Sequence, residues 1–136
     1  MNAEILTLCD FANLDSGGKF NIIGGRHRLY AAGVPHTLEN QFIAARLLFQ
    51  AQEEGEKEVE ISVITADGRP SMAPIKWNVN FECSGRELTG FMPMAFSIGQ
   101  IVLPEFGEYD LVLKVGLDFQ SRARIHVIRL ESAPPL

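Results

Sequence analysis

Residues 75–83 read Ile75-Lys76-Trp77-Asn78-Val79-Asn80-Phe81-Glu82-Cys83, and Glu58–Ile64 repeats the same pattern upstream. Ile75, Trp77, Val79, Phe81 and Cys83 alternate with Lys76, Asn78, Asn80 and Glu82, as Val59, Ile61 and Val63 do with Glu58, Glu60 and Ser62. Successive strand side chains point to opposite faces of a sheet, so strict alternation marks antiparallel strands with one wet and one buried face. The pattern decides an architecture and carries no chemistry.

The same reading extends outward in both directions. A first strand covers Ala3–Ala12 and ends in the turn residues Asn13–Gly18. A second, Lys19–Ala31, forms a hairpin with it and carries Gly24-Gly25, a pair that marks a bulge or a close backbone approach. Phe42–Gln50 alternates Ile43, Ala45, Leu47 and Phe49 against Arg46 and Gln50. Leu38–Gln50 is also rich in helix formers, so a helix competes there, but its apolar residues fit a period of two better. An acidic turn, Gln52–Glu56, precedes the Val59 strand, and Asp67-Gly68-Arg69-Pro70 closes it. Ser84-Gly85-Arg86 ends the Trp77 strand, and Phe91–Leu103, interrupted by Pro93 and Gly99, is expected to bend or lie at a sheet edge. Tyr109–Val115 and Arg122–Leu130 complete the set, with a turn from Gly116 to Ser121 between them. Short strands, frequent turns and no clear helix predict an all-β antiparallel two-sheet sandwich of about seven or eight strands, with a small closed barrel as its competitor. With no linker, repeat or low-complexity tract, residues 1–131 read as one domain and 132–136 as a frayed tail.

Composition narrows the function classes. The chain has 136 residues, enough for one core without staples, and a hydrophobic fraction of 46% that excludes a disordered chain. A net charge of −5 argues against nucleic acid and anionic membranes as partners. The N-terminus has no basic region and only a short apolar run before Asp10, so neither a signal peptide nor a membrane span is read there. A cytoplasmic location, or one inside an assembly such as a virion, is expected. Cys9 and Cys83 both fall in apolar runs and read as reduced core thiols rather than a disulfide.

His27, His36 and His126 have no metal-ligand spacing, and no nucleophile elbow, phosphate-binding loop or Cys-x-x-Cys pair occurs. The chain is therefore read as non-enzymatic, with no catalytic residue, metal or cofactor. Two stretches are candidate contacts. Arg26, Arg28 and Tyr30 alternate after Gly24-Gly25 and form either a strip that grips a carboxylate, phosphate or acidic partner, or a solvated basic edge. Arg122, Arg124 and His126 make a similar row. Phe91, Met92 and Met94 belong to an adaptable, methionine-rich run suited either to a protein interface or to an irregular core strand.

Cys9-Asp10-Phe11-Ala12, Phe20-Asn21-Ile22-Ile23-Gly24-Gly25, Val34-Pro35 and Leu103-Pro104-Glu105-Phe106-Gly107-Glu108-Tyr109 occur in an order that resembles a family of small uncharacterised bacterial β-sandwich proteins. The resemblance spans most of the chain and implies the fold; that family has no known function to carry over. The expected role is a protein-interaction module or a subunit of a larger assembly, a virion or tail component being one form of it. The partner is then another protein or further copies of the chain. A sugar or acidic-metabolite binder and an enzyme with a loop-assembled site are the alternatives.

Overall fold

The computed structural model describes residues 1–132. They form an all-β chain of ten strands: β1 Asn2–Cys9, β2 Phe11–Leu14, β3 Phe20–Ile23, β4 Arg28–Ala31, β5 His36–Gln50, β6 Gly55–Thr65, β7 Ile75–Phe81, β8 Thr89–Leu103, β9 Gly107–Val115 and β10 Phe119–Arg129. These assemble as a five-stranded sheet in the order β4-β10-β9-β6-β7, a three-stranded sheet β1-β5-β8, and the separate hairpin β2-β3. The two larger sheets face each other across the core. Residues 133–136, most of the tail read as frayed, lie outside the described residues.

The sequence pattern merged strands that the structure divides. The expected strand Ala3–Ala12 breaks at Asp10 into β1 and β2, and Lys19–Ala31 breaks across Gly24–His27 into β3 and β4. Both breaks have one cause, because the chain crosses itself there. The Asp10 amide donates to the Ile23 carbonyl at 3.0 Å and the Arg26 amide to the Leu8 carbonyl at 2.9 Å. Gly24 lies directly against the Asp10 carboxyl, where no Cβ fits, and has φ +68°. After this crossing the chain joins the other sheet as β4, which pairs with β10 in parallel. The expected purely antiparallel sheet is thus mixed at one edge.

The alternation in Val59, Ile61 and Val63 puts all three in the core, beside Val115, Leu113 and Leu111 of the neighbouring β9 and facing the three-stranded sheet. Each such side chain contributes about 1.5–3 kcal/mol on leaving water. The helix that competed over Leu38–Gln50 is strand β5. Its run Ile43-Ala44-Ala45 is buried on both faces, since β5 is the central strand of its sheet and carries the β2-β3 hairpin on its outer side. Ile43, Ala45, Leu47 and Phe49 belong to the main core, whereas Ala44 packs with Cys9 and Ala12 beneath the hairpin. β8 lies at a sheet edge, as Pro93 and Gly99 suggest, and its register against β5 slips beside Gly99. At the far end Tyr109, 1% exposed, receives the Glu105 amide at 3.0 Å and donates to the Glu105 carbonyl at 2.7 Å, anchoring the turn into β9. Burial pushes its phenol pKa up.

Gly90 pairs with Phe49 across the β5-β8 ladder, and a Cβ on Gly90 would come within 2.5 Å of the Phe49 ring. Gly90→Ala is expected to cost about 1–3 kcal/mol by displacing a fully buried ring, read as a lower urea midpoint at unchanged slope. An unchanged midpoint would show that the ring does not lie over this glycine.

Candidate functional site

Five strands face three, so the large sheet extends past its cover, and one edge strand shows this most clearly. That strand is β7, an edge of its sheet. Ile75, Trp77 and Val79 lie on the core face but are only half-buried, whereas Val59, Ile61 and Val63 beside them on β6 are 0% exposed. Opposite, β8 is the free edge of the small sheet. The two edges meet where the Trp77 and Phe96 rings pack edge-to-face, 4.6 Å between centroids and 67° apart. Around this contact lies a cavity of about 460 Å³ bounded by Leu14, Ile75, Trp77, Phe96, Pro93 and Ser97 among others. The floor is apolar, and Pro93, which has no amide hydrogen to offer, suits an unpaired edge.

The opposite flank is laced by main-chain bonds, with a smaller cavity of about 300 Å³ left beside them between Leu6–Leu8 and Ala123–Ile125. The Leu8–Arg26 bridge ties β1 to the crossing segment, and the His126 amide donates to the His27 carbonyl at 2.8 Å, tying that segment to β10. On this flank the two sheets are joined through the crossing segment, whereas no described strand pairs β7 with β8.

The lacing separates the expected strip Arg26, Arg28 and Tyr30. Arg26 precedes β4, pairs with the Asp10 carboxylate and has its Nε buried without a hydrogen-bond partner. Arg28 is exposed on β4 beside His126, and Tyr30 is half-buried beside Ile128. Only the last two share a strand face. The crossing at Gly24-Gly25 takes Arg26 out of their register. The second row is exposed and its two arginines are ion-paired: Arg122 to Asp110 at 3.2 Å, Arg124 to Asp110 at 3.2 Å and to Glu108 at 2.8 Å. The candidate interface divides by strand parity. Phe91 is 49% exposed on the outer face under the Arg46 guanidinium, whereas Met92 is half-buried against the core and Met94 is buried beside the cavity. Met92 and Met94 are core-facing, so the three do not form one exposed patch. What the alternation alone did not reveal is the cavity, which depends on how many strands stand opposite.

No group of three or more metal-ligating side chains occurs among the described residues, and none of their helices is long and apolar enough to cross a membrane. The two cysteines are free. Cys9 is buried and its Sγ lies 3.6 Å from the Phe42 carbonyl oxygen; burial pushes its thiol pKa up, partly offset by a backbone bond from Phe11 and the Arg26 charge. Cys83 is not the core thiol expected, because β7 ends at Phe81 and leaves it half-buried. Its pKa is raised first by desolvation and then by the nearby Glu54 carboxylate.

The chain belongs to a family of unknown function, DUF6941, whose model matches residues 4–128. No curated protein matches it.

Two outcomes check these placements. Arg26→Ser removes the counter-ion of a carboxylate held against Gly24 and is expected to cost about 1–2 kcal/mol, while Arg28→Ser stays within about 0.5 kcal/mol. Equal effects in urea unfolding would contradict the separation of the two arginines. A thiol reagent should label Cys83 before Cys9 in the native protein. With the thiol pKa raised, the thiolate is scarce at neutral pH, so labelling should accelerate as pH rises past the ordinary thiol range. Native Cys9 reacting as fast as Cys83 would refute the burial of β1's end.

Proposed function

We propose that the chain is a non-enzymatic protein-interaction module, or a subunit of a larger assembly, that receives an extended segment of a partner protein at the open flank between β7 and β8. One observation carries this reading: the core face of β7 is left half-covered beside a free β8 edge. A strand laid along β8 would extend the small sheet by one and cover Ile75, Trp77 and Val79. Main-chain pairing gives such docking its affinity, and side chains entering the cavity give it selectivity. A face-to-face contact between globular surfaces needs about 800 Å² from each partner, and a groove one strand wide suits an extended segment better.

Ser97 is exposed at the rim of the cavity. A photoreactive phenylalanine analogue at Ser97 is expected to cross-link in the cell to one recurring partner segment, and Ser97→Arg should abolish that partner's binding without lowering the unfolding midpoint. The same analogue at Gln120, on the outer face of the large sheet, should give no such adduct. Adducts that are indistinguishable from the two positions would overturn the reading.

A further inference from the structure

We propose that the outer face of the three-stranded sheet holds a second site, for a small carboxylate with an apolar body, and that Arg46 is its anion-binding group.

Arg46 stands mid-strand in β5, with Ile5 of β1 and Pro93 of β8 as its cross-strand neighbours. The β2-β3 hairpin covers the neighbouring part of this face, over Ala44 and Cys9, and stops short of Arg46. The edge of the hairpin therefore makes a wall. Between that wall and the sheet lies a cavity of about 620 Å³, bounded by Ile5, Phe20, Ile22, Phe91 and Pro93 with Arg46 among them. Small-molecule sites commonly occupy about 300–1,000 Å³, with mostly apolar walls and a few placed polar groups.

Among the described residues Arg46 is the one charged side chain in this lining. Its guanidinium carbon lies 4.2 Å from the Phe91 ring centroid, a cation–π contact that holds the group over the ring. Its carboxylate neighbour among the described residues, Glu4, approaches only to 3.5 Å, and both side chains are more than a third exposed, 41% for Arg46 and 36% for Glu4. Such a pair is worth little in water, so a ligand carboxylate can replace Glu4 on the planar fork while its apolar body fills the space beside Phe20 and Ile22. The fork favours a carboxylate over a neutral polar group of the same shape.

The test uses 4-phenylbutyrate and its neutral amide, titrated calorimetrically into the whole chain. The acid is expected to bind about tenfold more tightly than the amide, the margin of a charge-assisted bond. Arg46→Gln should erase that preference, and Arg46→Lys should keep part of it. Glu4→Gln, which removes the competing carboxylate, should strengthen the acid by up to about fivefold and leave the amide unchanged. Equal affinity of acid and amide for the native chain would overturn the proposal, leaving Arg46 as a stem that covers apolar surface. So would a failure of the acid to bind both the native chain and Glu4→Gln at millimolar concentration. The Glu4 variant keeps the test decisive even if the Arg46 variants fold poorly.

Discussion

The structure depends on one crossing. At Asp10, Gly24 and Arg26 the chain passes over itself, leaves the small sheet and enters the large one, and each residue there is constrained by the other two. Gly24 supplies a left-handed backbone and a missing Cβ; Asp10 occupies the space that a Cβ would take; Arg26 neutralises the Asp10 carboxylate and bridges to Leu8. The price of this economy is a buried Nε without a partner. In return, one flank of the sandwich is closed by main-chain hydrogen bonds rather than by side-chain contact alone.

Closing one flank leaves the other to be defined by strand count. The hairpin β2-β3, freed from the small sheet by the break at Asp10, covers the outer side of β5 instead of adding a fourth strand beside β8. The small sheet is therefore two strands narrower than the sheet it faces. Half-buried Trp77 and Phe96, the cavity around their contact and the free β8 edge follow from that arithmetic. So does the second cavity, walled by the edge of the same hairpin. Both candidate sites are consequences of where the hairpin was placed.

The strands were legible wherever one face is wet and the other dry. Val59, Ile61 and Val63 are core residues, as their alternation requires, and Pro93 and Gly99 marked β8 as an edge. Legibility failed where alternation no longer reports a single neighbour. Ala44 and Ala45 are both buried because β5 is covered on both sides, so alternation weakens in a stretch whose helix-forming residues already set a helix against the strand. Arg26 and Arg28 share a sequence parity but not a strand, since a crossing backbone resets the register. Cys83 continues the parity of Trp77 and Phe81, yet the sheet ends before reaching it. A period of two records which way a side chain points. It holds no information on whether a strand stands opposite, and the open flank is an absence of that kind.

Native-state hydrogen exchange compares the two flanks in one measurement. The amides of Arg26 and His126, which lace the closed flank, should exchange only with free energies approaching that of global unfolding. The outward amides along β8, from Thr89 to Ser97, should exchange orders of magnitude faster, because no strand among the described residues pairs with that edge. Equal and strong protection on both flanks would mean that the sandwich closes on itself, and the account of an open, receptive edge would fall.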